Sequence, residues 1–382
     1  MLFKTKPIVA AALLTMGGLA SAQDLVVRIG SVAPTSGGAA QVGKDNENGA
    51  RLAIEELNAK GVTIGGRKAR FELVAEDDAG DPKQGTAAAQ KLADSKVNGV
   101  IGHQNSGTTI PASRVYSDAG IPQISPMATN PKYTRQGFKT AFRVVADDAQ
   151  LGGTLGRYAV KTLKGKSVAI VDDRTAYGQG LADEFAKGVK AAGGAVVDQQ
   201  FTTDKATDFS AILTSIRAKK PDIIFIGGMY AIAGPMIRQM KQLGIKAKVM
   251  GGDGICTQNL PELSGGAVAD DQIVCAEPGG IENAQKTGLE AFRQAYKKKF
   301  GIDADIVAPY SYDAVHVMVD TMVKAGSADP KTYLPMLAKT QGYKGVTGEI
   351  SFDEKGDLRN GALTFYTFRN SKREQIAVVR VR

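Results

Sequence analysis

Histidine is nearly missing from this chain, at two residues in 382, and cysteine is equally scarce. His103 and His316 stand far apart and no H-E-x-x-H pair exists, so hydrolysis on a bound metal has no ligand set to rest on. Each histidine reads as an ordinary loop or helix residue. The two cysteines, Cys256 and Cys275, lie in a Gly-rich region without a nearby histidine, which leaves a zinc site unsupported. Basic clusters are also few. Lys297-Lys298-Lys299 is the one dense run and reads as a solvated helix end, whereas nucleic-acid binding needs a clustered basic face with aromatics between the charges.

Long apolar runs are missing beyond the beginning of the chain. No segment after residue 22 approaches the ~20 apolar residues of a spanning helix. At the start, Lys4 and Lys6 precede an apolar run from Ile8 to Leu19, and Ala20-Ser21-Ala22 supplies small residues where signal peptidase cuts. Residues 1–22 are therefore expected to be a cleaved secretory signal peptide, with Gln23 or a neighbour as the new end. No cysteine follows that site, so the chain lacks the feature for a lipid anchor. Removal of these residues takes two lysines and no acid, leaving 360 residues with a formal charge of about +7. In an oxidising compartment Cys256 and Cys275 are most simply one disulfide, contributing on the order of 3 kcal/mol through loop closure.

Enzyme signatures are also lacking. Lys164-Gly165-Lys166-Ser167 contains a GKS triplet, but Val160 stands where a P-loop needs glycine, and the triplet precedes a strand instead of following one. Gln104 stands two residues before Ser106, so no G-x-S-x-G elbow surrounds that serine.

What the chain does contain is an alternation of strand and helix patterns. Leu25 to Val32 reads as a strand, and Ala50, Ala53, Ile54 and Leu57 form the buried stripe of a helix ending near Lys60, with Gly61 as its stop. Phe71 to Ala75, Val97 to Gly102, Ile121 to Ser125 and Phe142 to Val145 continue the strands, and Asp81-Pro82 opens a capped helix. A second series begins at Ser167 to Val171, followed by a helix to about Ala192, then strands at Ala195 to Phe201, Ile223 to Ile226 and Lys248 to Met250. Met236, Met240 and Leu243 mark a buried helix stripe, as do Leu289, Phe292 and Tyr296. A further helix runs from about Pro309 to Ala325, and Glu349 to Phe352 and Leu363 to Phe368 are strands flanking the turn Asp353 to Asp357. Two runs of βα units predict two parallel-sheet lobes, because parallel strands need helical crossovers. No Pro/Ser tether separates them, so several strand-like crossings are expected, with both sets of strand-end loops facing a shared cleft.

Val100 to Thr109 ends a buried strand in a hydroxyl-rich turn ahead of a helix, where amides collect anions; its plain alternative is a connector. Ser106, Thr108, Ser125, Thr129, Tyr177 and Asp253 all stand at predicted strand ends. Hydroxyls and free amides suit a carboxylate, and a lone Asp in a Gly-rich turn suits an ammonium, which together fit the zwitterionic end of an amino acid. Each alone also reads as a turn former or cap.

At these residues the chain resembles the periplasmic leucine/isoleucine/valine-binding proteins, solute-binding components of ABC importers. The likeness spans the mature chain and is strongest at Asp77-Asp78-Ala79-Gly80-Asp81-Pro82-Lys83-Gln84, Ile101-Gly102-His103, Ser125-Pro126-Met127-Ala128-Thr129 and Tyr177-Gly178-Gln179-Gly180. The resemblance implies the type I fold: an α/β protein of two Rossmann-like parallel-sheet lobes joined by three crossings, one of residues 24–147 plus 276–358 and one of 148–275 plus 359–382. It implies that Ser106 and Thr129 hold a ligand carboxylate, that Met127 offers a carbonyl to its ammonium beside Ala128, and that Tyr177 covers it. Asp253 falls where the family commonly has Glu. A second-lobe tyrosine is displaced, with Met229 after Gly227-Gly228 and Tyr230 one place later, and Val42 replaces an aromatic beside the side-chain pocket. The family's usual cysteine pair would fall on Gly80 and Asn105. The expectation is a periplasmic monomer, not an enzyme, without cofactor, metal or nucleic-acid partner. It would capture an amino acid, branched-chain and aliphatic, by hinge closure and deliver it to an ABC permease in the inner membrane. Alternatives are another amino acid, an amide or an aromatic carboxylate as ligand, a sensor docking on a receptor, and, more remotely, a serine amidase or esterase using Ser106.

Overall fold

The computed structural model describes residues 24–280 and 283–381, so the expected signal peptide lies outside the described residues. The first strands and helices alternate: β1 (Leu25–Ala33), α1 (Ala40–Lys60), β2 (Thr63–Ile64), β3 (Arg67–Asp77), α2 (Pro82–Asp94), β4 (Gly99–Gly102), α3 (Ser106–Ala119), β5 (Gln123–Ser125) and β6 (Ala141–Arg143). The sheet order is β2-β3-β1-β4-β5-β6, parallel except for β2. Local signals set the helix ends. Gly61 adopts the left-handed conformation that stops α1, and the Asp81 side chain accepts from the amides of Lys83 and Gln84 at the start of α2.

A second series follows: α4 (Asp148–Lys161), β7 (Ser167–Asp172), α5 (Ala176–Ala191), β8 (Ala195–Phe201), α6 (Ser210–Lys219), β9 (Ile223–Gly227), α7 (Tyr230–Gln242), β10 (Lys248–Gly251), α8 (Leu260–Leu263) and β11 (Ile273–Pro278). Its central strands are buried on both faces, which is why Ile223 to Ile226 reads as an unbroken apolar run. The remaining elements are α9 (Asn283–Phe300), α10 (Ala308–Ala325), α11 (Pro330–Leu337), β12 (Tyr343–Lys344), β13 (Glu349–Ile350), β14 (Ala362–Arg369) and β15 (Lys372–Arg380). The second sheet has the order β15-β14-β11-β10-β9-β7-β8. Helix α10 returns to pack on α1, so its Met318 and Met322 join one core with Val27 and Ile54. The chain passes between the lobes after β6, after β11 and ahead of β14.

The two parallel-sheet lobes are present as expected, the second extended by antiparallel strands, β14 on β11 and β15 on β14. Several finer expectations are corrected. The expected strand Glu349 to Phe352 shrinks to Glu349–Ile350, followed by a single bridge between Phe352 and Leu358. Val97 to Gly102 forms a strand only from Gly99, because Asn98 exchanges bonds with the Arg28 backbone through its side-chain oxygen. Met236 and Met240 are fully buried, whereas Leu243 caps α7 and is half-buried.

In both sheets the first strand is flanked by the second and third parallel strands of its series, so each sheet reverses its winding there. Such a switch point lies between β1 and β4 in one lobe and between β7 and β9 in the other. Loops leaving the carboxyl ends of these strands diverge there and open a crevice.

Candidate functional site

The two crevices meet. From the first lobe come Val42 on α1, Gln104, Asn105 and Ser106 after β4, Met127 after β5, and Ile306 and Val307 ahead of α10. From the second come Tyr177 after β7, Met229 after β9, and Asp253 and Gly254 after β10. They enclose a cavity of about 20 Å3, room for about one water. The lobes touch around it: Asn130 Nδ2 donates to the Ala176 carbonyl at 2.6 Å, the Tyr230 hydroxyl to the Gly38 carbonyl at 3.3 Å, and the Thr257 hydroxyl to Asp305 Oδ2 at 3.2 Å. The cleft is thus closed.

Ser106 is the first residue of α3. The amides of Thr108 and Thr109 turn back to the Asn105 carbonyl, while those of Ser106 and Gly107 lie in the first turn, where no helical carbonyl precedes them. The Ser106 hydroxyl accepts from the Asn130 amide at 3.2 Å, so its own proton is left to donate. A hydroxyl donor beside a helix N-terminus suits an anion. The loop carrying Asn130 is held from beneath by Arg143, which is fully buried. Its guanidinium donates to the carbonyls of Ala128 and Asn130 at 2.5 and 3.0 Å and pairs with Asp357 at 2.7 Å.

Asp253 faces the cavity from the opposite lobe. The Tyr177 hydroxyl donates to its Oδ1 at 3.1 Å and accepts from the Gly254 amide at 2.9 Å, which aims the carboxylate. Burial pushes the Asp253 carboxyl up to about 7, with the neighbouring Glu277 charge adding to the rise and its hydrogen bonds opposing it. A cation at Oδ2 would reverse that shift. The turn is anchored by the Cys256–Cys275 disulfide, which ties it to β11, as expected, and by Arg373, which donates to the Cys256 carbonyl at 2.6 Å and pairs with Glu277.

Of the residues singled out in the sequence, Val42, Ser106, Met127, Tyr177, Met229 and Asp253 line the cavity. Three do not. Ala128 and Thr129 are fully buried behind it, where the Thr129 hydroxyl neighbours Asp148, a carboxyl that burial raises well above its ordinary range. Tyr230 turns toward the first lobe, while Met229 takes the cavity side. Sequence reasoning passed over Gln104, Asn105, Gly254, Ile306 and Val307 as lining, and Arg143 with Asp357 as support. Gln104 and Asn105 sat inside the stretch already under scrutiny, but nothing in the pattern marked Ile306 or the pairing of residues 143 and 357.

Ser106 has the Asn130 amide as its partner, and His103 is occupied inside the first lobe, with its ring nitrogens 2.8 Å from Asp78 and 3.1 Å from the Tyr116 hydroxyl.

Known proteins resemble the chain over most of its length. The family model described as periplasmic binding protein matches residues 26–373. The Leu/Ile/Val-binding protein homolog 1 of Brucella abortus (strain 2308) is 38% identical over 359 residues, covering 94% of each chain. Among solved structures, a leucine binding protein from Thermotoga maritima superposes with a TM-score of 0.84 at 29% identity, covering 92% of this chain and 98% of that one. A branched-chain amino acid transporter substrate binding protein from Streptococcus pneumoniae, in complex with isoleucine, gives 0.82 at 28% identity, covering 93% and 99%.

Proposed function

The chain belongs to the periplasmic binding protein family, and from that premise we propose that it captures an amino acid, branched-chain and aliphatic, and delivers it to an ABC permease in the inner membrane. The observation that carries this reading is the opposition of Ser106 and Asp253 across one closed cavity: an anion grip on one lobe and a cation grip on the other. An α-amino acid satisfies both at once, its carboxylate at the Ser106 hydroxyl and the first amides of α3, its ammonium at Asp253. Val42, Met127, Met229 and Ile306 then offer an apolar wall to its side chain. The relatives named for leucine, isoleucine and valine support that choice of ligand.

A cavity with room for about one water cannot admit an amino acid as it stands, so the lobes part to let it in and close over it. In this reading residues 24–147 plus 276–358 move as one body and 148–275 plus 359–382 as the other, and the closed shape is what the permease reads. The working protein is a periplasmic monomer freed of residues 1–22. Its family is one of solute binders, and delivery rather than catalysis is the proposed role.

The test is a thermal-shift screen of all L-amino acids and a set of aromatic and aliphatic carboxylates, followed by calorimetry on the hits. A ligand at 100 times its Kd stabilises by about 2.7 kcal/mol, well within detection. Stabilisation by leucine, isoleucine or valine is expected. A response to carboxylates alone, with none to any α-amino acid, would refute the role given to Asp253.

A further inference from the structure

One large side chain of the second lobe is buried in the first. Tyr230 opens α7, yet its ring joins the apolar core that holds Val42, Ile306 and Tyr310, and among the described residues it is the one buried member of that core drawn from the second series of elements. It does not line the ligand cavity, whose wall at this point is Met229. Its hydroxyl donates instead to the Gly38 carbonyl at 3.3 Å, on the turn Gly37–Ala39 from which α1 and Val42 set out. Two other bonds cross the cleft, Asn130 to Ala176 and Thr257 to Asp305, and both join polar groups that water can serve once the lobes part. The ring has no such substitute. An aromatic side chain buries about 150 to 250 Å2, and withdrawing it from a core returns that surface to water, so parting the lobes costs more at Tyr230 than at either polar bond.

Resting on the hinge closure read above, and not on which ligand is enclosed, we propose that Tyr230 is a latch: a positioning residue that sets how long the closed cleft keeps its ligand without touching it. Ring and hydroxyl engage only as α7 meets the first lobe, after the ligand has entered, so they slow release and leave capture alone. The latch makes the same contacts whatever side chain fills the cavity, and it therefore lengthens the residence of every ligand by one common factor. Two adjacent residues divide the work. Met229 meets the cavity and acts on which ligand is chosen, while Tyr230 meets protein and acts on how long it stays.

The experiment measures association and dissociation rates of L-leucine and L-alanine by stopped flow on the mature protein, Tyr230→Phe and Tyr230→Ala, with the thermal midpoint of each ligand-free protein as the control for folding. Tyr230→Phe keeps the ring in the first-lobe core and loses the bond to Gly38, and it should quicken release by about threefold. Tyr230→Ala loses both and should quicken release by about thirtyfold or more, the range for truncating a buried aromatic anchor at an interface. Both ligands should change by the same factor, with association within about twofold of the wild type. Unchanged release in Tyr230→Ala overturns the proposal even where its thermal midpoint falls, since the ring then serves stability alone. A shift in the leucine-to-alanine ratio of release rates also overturns it, because that would put the ring on the ligand, and so does a loss confined to association. Should Tyr230→Ala not fold, Tyr230→Phe decides, and release at the wild-type rate refutes the latch. If the wild type binds carboxylates and no amino acid, the amino-acid reading falls by itself, and the same rates measured on the carboxylate that the thermal-shift screen retains still decide the role of Tyr230.

Discussion

Lowering the pH from 8 to 5 should weaken leucine binding by up to two orders of magnitude, with Asp253 as the titrating group. Burial places its carboxyl at about 7 in the free closed protein, where Glu277, Asp148, Tyr177 and Tyr310 are the titratable groups coupled to it. The ligand ammonium favours the ionised form, so the pKa falls in the complex. Below the free-protein value a proton must therefore leave as the ligand arrives, and affinity present at high pH is lost as pH falls. The apparent Kd is multiplied by one plus the ratio of protonated to ionised Asp253, which is about 2 at pH 7, about 11 at pH 6 and about 100 at pH 5, or about 2.7 kcal/mol across the range. The opened cleft wets this carboxyl and lowers its pKa, so the hundredfold loss is a ceiling. Calorimetry in buffers of different ionisation heat reads both the affinity and the proton released. Asp253→Asn should abolish the pH dependence and, at pH 8, cost about 2 to 5 kcal/mol, as for truncation of one member of a buried charge pair. A flat affinity between pH 8 and 5 in the wild type, or the same slope in Asp253→Asn, would refute the assignment.

Three further outcomes are expected. Ser106→Ala should weaken amino-acid binding by about 1 to 3 kcal/mol, the range for a hydrogen bond to a charged group, and calorimetry showing unchanged affinity would remove Ser106 from the carboxylate site. Asn130→Ala deletes the 2.6 Å bond to the Ala176 carbonyl across the cleft but keeps the amide that meets Ser106. Ligand dissociation measured by stopped flow should quicken by about threefold to tenfold with association little changed, and an unaltered off-rate would show that this contact does not hold the closed state. Replacing both Cys256 and Cys275 by serine removes a cross-link spanning 19 residues. By loop-closure entropy that costs about 3 kcal/mol and should lower the thermal midpoint by about 5 to 10 °C, against no change if the bond is dispensable.

The elements whose cause is local were legible in the sequence. Gly61 stops α1 because only a left-handed residue ends a helix there cheaply, and Asp81-Pro82 starts α2 because the carboxylate and the fixed φ act within one turn. What was missed depends on distant partners. Strand β15 reads Lys-Arg-Glu-Gln at its start, with the charge expected of a sheet edge, and becomes a strand only by pairing with β14. Arg143 supports the Asn130 loop through Asp357, 214 residues away, and Ile306 reaches the cavity from a segment that follows the whole second series of strands. Met229 and Tyr230 show the finest limit: both sit at the start of α7, and the packing of the closed lobes decides which side chain turns inward.

The supports behind the two halves of the site differ in kind, and that difference bears on how specificity can change. The groups assigned to the shared end of an amino acid are fixed by buried polar networks: Ser106 by Asn130, whose loop rests on Arg143 and Asp357, and Asp253 by Tyr177, Gly254 and a disulfide. Removing one member of such a network leaves a buried partner unsatisfied, so these positions resist substitution. Val42, Met229 and Ile306 are held by apolar packing alone, and methionine in particular adapts to the space it is given. Volume-conserving changes there cost little stability. Exchanges at Val42 and Met229 are therefore expected to alter which side chain is accepted while leaving the grip on the zwitterion in place.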